Sequence, residues 1–304
     1  MNARICSLLL AASLVAPPGR LAAQYAFTAH YVPGAEGIKA ASLPPPGFYV
    51  RDYNLFYTAD RLNTPSGSQA PLDFDAFVYA NVLRGIWISN CKVLGGYFGM
   101  DALVPFIYTD LSIKQCGKPI YDHANFGVGD ICFEPATLSW HGKQWDAAIG
   151  YSFWAPTGDS QPGTAKPGKG FWTQMLTAGG TFYFDQEKTW ALSALNRYEF
   201  NLAEKDTDIT PGQVWTLEWG LSKALSKTLD VGVAGYYQLQ TTKDSGGASA
   251  TRDVARDQVA AIGPEIVMFC PKLGLFTSLR YNYEFCAEDR PQGHTATLTL
   301  TKRF

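Results

Sequence analysis

The run "WTLEWGLSKALSKTLDVGVAGYYQLQ", residues 215–240, decides the fold. Trp215, Leu217, Trp219 and Leu221 fall on one parity, with Thr216, Glu218, Gly220 and Ser222 on the other. After the short link "KALSK" (223–227), Leu229, Val231, Val233, Tyr237 and Leu239 oppose Asp230, Gly232, Ala234, Gln238 and Gln240. A period of two is the signature of a strand with one apolar and one polar face. Soluble strands usually stop after five or six residues. Runs of ten or more are what a tilted strand needs to cross a bilayer.

The same pattern recurs outward in both directions. "WDAAIGYSFW" sets Trp145, Ile149, Tyr151 and Phe153 against Asp146, Gly150 and Ser152, and "LGLFTSLRYNYEF" sets Leu273, Leu275, Leu279, Tyr281, Tyr283 and Phe285 against Ser278, Arg280, Asn282 and Glu284. Short links at 89–92, 140–143, 185–188, 223–227 and 270–272 alternate with longer ones such as "ADRLNTPSGSQAP", "KQCGKPIYDHAN", "PTGDSQPGTAKPGKG" and "AEDRPQG". Short turns on one side and long loops on the other are the habit of an outer-membrane barrel. The expected fold is all-β, an antiparallel transmembrane β-barrel of about 12 strands. The spans are 46–58, 72–88, 93–113, 126–140, 143–155, 171–184, 188–200, 213–223, 227–241, 256–269, 273–286 and 294–304. Closure requires the last strand, "TATLTLTKRF" with its final Phe304, to pair with the first, because an open edge is not tolerated in lipid. Aromatics near strand ends, among them Tyr57, Trp87, Trp140, Trp145, Trp172, Trp190 and Trp215, are expected in the interfacial girdles.

Residues 1–23 read as a signal peptide: a basic "MNAR", the apolar run "ICSLLLAASLVA", and small residues before the cut. Residues 24–45, "QYAFTAHYVPGAEGIKAASLPP", lack alternation and form either a periplasmic tail or a lumenal segment; the barrel occupies 46–304. Aromatic content is 14%, with Trp 8, Tyr 16 and Phe 18, yet mean hydropathy is only −0.09, as alternation produces. Removing Arg4 and Arg20 from 25 basic residues leaves 23 against 27 acidic, a charge of −4 that argues against nucleic acid as a partner. Five cysteines remain beyond the leader, in no metal-binding spacing.

Catalysis finds no support in the residues. No GxSxG occurs, and His123, His141 and His294 fall in or beside links on opposite sides of the membrane. Asp122, His123 and Asp130 in "DHANFGVGD" match no zinc or calcium template. No enzyme activity, metal or cofactor is expected. Parity instead directs Asp146, Arg197, Glu199, Glu218, Asp230, Arg280 and Glu284 inward, with Trp154, Phe276 and Tyr236 as apolar lumen contacts. Such charges either brace the barrel or line a pore.

Several stretches resemble a bacterial family, the outer-membrane proteins of the meta-pathway of phenol degradation. They are "HYVPGAEGIKAASLPPPGFYVRDYNLFYTAD" (30–60), "DFDAFVYANVLRGIWIS", "VLGGYFGMDALVPFI", "GVGDICFEPATLSWH", "YSFWAPTGD" and "VGVAGYYQLQTTKDSGG", in order over most of the chain. The resemblance implies a porin-like channel in the outer membrane for small, hydrophobic or aromatic solutes. Outer-membrane lipids and the barrel-assembly machinery, reading Phe304, would be its partners. A closed or plugged barrel with a structural or surface-interaction role is the alternative; a lipid-acting barrel enzyme has least behind it.

Overall fold

In a pleated strand the two parities become two faces, and in this chain one suits lipid and the other suits a hydrated interior. The computed structural model describes residues 29–161, 164–205, 207–246 and 257–304. The expected signal peptide, 1–23, lies outside the described residues. Among the described residues thirteen strands form: β1 (Gly47–Leu62), β2 (Asp73–Val93), β3 (Gly96–Gln115), β4 (Lys118–Val128), β5 (Ile131–His141), β6 (Trp145–Ala155) and β7 (Thr173–Tyr183), followed by β8 (Trp190–Asn201), β9 (Val214–Ser226), β10 (Leu229–Gln240), β11 (Gln258–Cys270), β12 (Leu275–Glu288) and β13 (Pro291–Arg303). All neighbours are antiparallel, and β1 pairs with both β2 and β13, from Tyr49↔Arg303 to Leu62↔Pro291. The β2–β3 ladder completes the ring, and among the described residues only β4, which pairs with β3 alone, keeps an unpaired edge.

The ring has twelve strands, and β4 is the piece that raises the count. β2 flanks β3 along nearly its whole length, so β4 and β5 share the other side, β5 against Tyr97–Leu103 and β4 against Phe106–Gln115. The expected single strand 126–140 is thus two segments joined at Gly129–Asp130. A Cβ on Gly129 would meet Pro105 and Ile107 at 3.0 Å, while the Gly129 N–H donates to the Pro105 carbonyl.

Turn chemistry corrects three expected links. The stretch 114–125 is no loop: Cys116 (φ 51°) and Gly117 (φ 75°) make a two-residue turn between β3 and β4. Two successive positive φ values match the right-handed twist of the hairpin. Leu94 (φ 51°) and Gly95 (φ 79°) do the same between β2 and β3, five residues beyond the start of the expected link at 89–92. The supposed long link 287–293 shrinks to Asp289–Arg290.

The lipid face is mainly apolar and edged by aromatics. Trp87, Trp145, Trp172 and Trp190 are each more than two-fifths exposed and point outward. Tyr57 does not belong with them: it is 7% exposed and its hydroxyl donates to Glu284 inside the barrel. Its parity partners on β1 are Tyr53 and Leu55, both buried, whereas Phe48 and Phe56 face outward.

Among the described residues all five cysteines are free; Cys91, Cys116, Cys270 and Cys286 are exposed and Cys132 is buried. Cys91 and Cys270 lie at the short-turn end, Cys116 and Cys286 at the long-loop end. A membrane-impermeant maleimide added to intact cells should therefore label Cys116 and leave Cys91 and Cys270 untouched. Mass spectrometry of the recovered protein reads this directly, and Cys132 should react only after denaturation.

Candidate functional site

The lumen is the site, and the chain itself runs through it. Residues 29–46 pass down the interior from the long-loop end to the short-turn end. At the top, His30 hydrogen-bonds Asp130 (2.9 Å) and Thr173 (2.8 Å) and stacks on Trp154, with ring centroids 5.5 Å apart. At the bottom, the Pro45 carbonyl accepts from the Tyr49 hydroxyl (2.8 Å) where the segment turns into β1.

Between these ends, buried wall charges hold the segment's backbone. Glu199 Oε1 accepts the His30 and Tyr31 N–H groups (2.9 and 3.0 Å). Glu218 accepts the Glu36 N–H (3.0 Å) and the Tyr31 hydroxyl (2.7 Å), and pairs with Arg197. Arg197 also lies over the Tyr31 ring at 4.0 Å, a cation–π contact. Glu265 accepts the Ile38 N–H (2.7 Å), while Arg280 donates to the Gly34 and Ala35 carbonyls (2.6 and 2.9 Å). Gly34 has φ 79°, and a Cβ there would strike the Tyr236 ring at 2.7 Å, so no other residue fits that bend. Lys39 meets Asp230 at 2.7 Å.

The centre of the segment is Glu36. Its carboxylate takes Arg51 (2.8 Å), Arg84 (3.1 Å) and the Tyr53 hydroxyl (2.7 Å). Arg84 is shared further with Asp101 (2.6 Å) and Glu134 (3.1 Å) on β3 and β5. A buried ion pair contributes little over an apolar pair, yet removing one partner strands the other charge without water.

Of the residues that parity directs inward, Arg197, Glu199, Glu218, Asp230 and Arg280 all lie against residues 30–39. Trp154 and Tyr236 also contact the segment, through His30 and Gly34. Glu284 lies apart, accepting from Tyr57 (3.0 Å) and Tyr236 (2.8 Å). Asp146 sits near the short-turn end, bonded to Tyr183 (2.6 Å) and Lys188 (3.3 Å). Phe276 stacks on Phe269 at 4.2 Å by the same mouth. Phe304 is 72% exposed on the outside, its N–H donating to the Phe48 carbonyl. Sequence reading missed Glu36, Arg51, Arg84, Asp101, Glu134 and Glu265.

Asp130 organises the outer mouth. Besides His30, it accepts the Gly158 N–H (2.9 Å) and the Lys169 N–H (2.8 Å), pinning both at the mouth of the lumen. The stretches "GVGD" (127–130) and "APTGD" (155–159) meet here, and Thr157 Oγ1 accepts the Ile131 N–H at 3.0 Å. Among the described residues no group of three side chains could hold a metal ion.

Two cavities flank the segment. The upper one, about 300 Å³, is walled by Leu55, Phe74, Val78, Ala80, Leu103 and Ile107 from β1–β3, with Trp154 and Tyr236 opposite. The lower, about 460 Å³, is lined by Arg51, Glu134, Asp230, Glu265 and Arg280. Glu36 and Arg84 border both.

A closed antiparallel ring with an aromatic-edged apolar exterior and a polar interior defines the class: a bacterial outer-membrane β-barrel. A family model described as "Putative MetA-pathway of phenol degradation" matches residues 59–300, and the chain belongs to that family. Its fold is similar to the crystal structure of an outer membrane channel from Pseudomonas putida F1, at 14% identity over 90% of this chain and 100% of that one, with a TM-score of 0.76. The translocator domain of the autotransporter NalP from Neisseria meningitidis is 12% identical over 87% of this chain and 91% of that one, with a TM-score of 0.50. No curated protein matches the chain by sequence.

Two predictions concern the seating of the segment. Glu36→Gln should weaken it by about 3 kcal/mol, the scale of breaking one side of a buried ion pair. Faster protease cleavage within residues 24–45 of the folded barrel would report it. Burial pushes the His30 imidazole down from 6.5 to about 4, against the opposing pull of Asp130. Asp130, at the outer mouth, is itself held below the usual carboxylate range; burial opposes this, but the bonds from His30, Lys169 and Gly158 outweigh it. In the seated state His30 is neutral, whereas a released His30 would take up a proton below pH 6.5. The contribution of His30 to seating should thus be constant above pH 6.5 and weaken by roughly tenfold per unit between pH 6.5 and 4. Protease sensitivity against pH tests it, and His30→Gln should flatten the profile.

Proposed function

We propose that this barrel is a passive channel for small hydrophobic or aromatic compounds, with residues 29–46 acting as a plug across its lumen. The observation that carries the reading is the apolar strip on the inner face of β1–β3. Elsewhere inward apolar residues such as Ile86, Met175 and Leu195 are interspersed with polar and charged ones, but Leu55, Phe74, Val78, Ala80 and Ile107 make a continuous greasy track at the outer end. A water-filled pore for hydrophilic solutes gains nothing from such a track; an apolar solute loses little on entering it. Trp154, its ring stacked on His30, borders the same cavity and adds aromatic surface for a solute.

The outer membrane channel of Pseudomonas putida F1, similar in fold, supports the channel class. The lumenal wall charges brace the plug in this reading, and a solute passes only when Glu36 leaves Arg51 and Arg84. Phe304 and the exposed outer band are the surfaces offered to the assembly machinery and to lipid. The second reading, a permanently closed barrel with an envelope role, draws on the number of wall residues that grip the segment.

Planar-bilayer recording separates the two. Deletion of residues 24–45 should give discrete current steps where the intact protein is silent or opens only briefly, and aromatic solutes should block the current from the long-loop side. Val78→Glu should abolish that block and leave the steps. Silence from the deletion variant, with its barrel intact by heat-shift on gels, would refute the channel reading.

A further inference from the structure

The outer wall carries a polar cluster that the lumen does not explain. On β1, Arg51, Tyr53 and Leu55 face inward, so Asp52 and Asn54 face the membrane. Asn81 on β2 is the register partner of Asn54 and shares that face. Asn81 Nδ2 donates to Asp52 Oδ1 (2.6 Å) and Asn54 Oδ1 (3.2 Å), and the Tyr79 hydroxyl donates to Asn54 Oδ1 (2.8 Å).

The height of the cluster is fixed by the aromatics on the same strand. Phe48, beside Phe304, marks the short-turn girdle; Phe56, packed on Tyr79 at 4.9 Å, marks the other. Asp52 lies midway between Phe48 and Phe56, with Leu83 and Leu300 as its register partners. That is the depth of the hydrocarbon core, where a carboxylate finds no water and is costly unless something meets it. The local bonds meet it only in part: among the described residues, neither Asp52 Oδ2 nor Asn54 Nδ2 has a partner.

We infer that this face of β1 and β2 is an interface with a second copy of the chain, related by a two-fold axis. An isologous contact brings each surface against itself. The free amide of Asn54 in one copy then meets the free carboxylate oxygen of Asp52 in the other, and the reverse, so the unmatched donor and acceptor satisfy each other. A lipid tail supplies neither. Gly85 and Ala102, register partners on the same outer face, leave the two walls room to approach closely.

The test is site-specific photocrosslinking in native outer membranes. A benzophenone amino acid at Leu83, exposed beside the cluster, should give a covalent species of twice the monomer mass; the same probe at Leu192 on β8 should not. Combining Asp52→Leu, Asn54→Leu and Asn81→Leu should cut the Leu83 crosslink at least tenfold, with the barrel still shifting on heating. Should that triple variant fail to fold, Asn54→Leu alone removes the free donor, spares the Asp52–Asn81 bond, and should cut it severalfold. Only monomer or monomer–lipid adducts at Leu83, equal dimer from Leu192, a product containing a different protein, or a dimer unaffected by Asn54→Leu would each overturn the inference.

Discussion

The pairing of Glu36 with Arg51 and Arg84 is the constraint around which the interior is arranged. A twelve-stranded barrel is too wide for wall side chains to fill unaided and too narrow to leave every inward charge fully hydrated. Its acidic and basic side chains therefore need fixed partners. The segment that carries Glu36 also brings backbone N–H groups to Glu199, Glu218 and Glu265, and carbonyls to Arg280. A peptide outside regular helix and sheet is well suited to this work, since each residue other than proline offers one donor and one acceptor that its own backbone does not use. The wall and the segment solve each other's desolvation problem.

How much of this could be read from the residues depends on how cleanly each strand alternates. On β9 and β10 the two parities differ sharply, and Glu218 and Asp230 fall plainly on the polar one. On β2 they do not. Phe74, Val78 and Val82 face inward while Phe77, Tyr79 and Leu83 face outward, so apolar residues fill both parities and Arg84 has no polar row to join. The doubly apolar stretch that hid Arg84 is also what makes the greasy track. Glu36 was out of reach for a different reason. An aperiodic segment gives no face to assign, and only the wall geometry shows which of its residues meet the arginines. The Tyr57 error has the same root: aromatic residues near strand ends serve girdle and lumen alike, and position along the strand does not distinguish them.

Turn chemistry accounts for the misplaced links. Composition marks Gly- and Asp-containing stretches as loops, but a two-residue turn needs only a pair of positive φ values. Cys116–Gly117 and Leu94–Gly95 achieve this with one glycine each. The motifs "GVGD" and "APTGD" were legible as signals of kinship, whereas their meeting at Asp130 depends on the break between β4 and β5. That break lets one carboxylate serve the loop over the mouth and the His30 anchor beneath it.

The route of residues 29–46 bears on how the barrel can be assembled. The segment precedes β1 in the chain, but its bonds reach β11 and β12, with Gly34 and Arg280 separated by 246 residues. Those contacts cannot exist until nearly the whole wall is present, and the β1–β13 seam closes the same volume that the segment fills. Contacts of such long sequence separation form late and slowly. The segment can therefore dock fully only on a wall that is nearly complete, so its seating comes with or after closure of the β1–β13 seam and not before it.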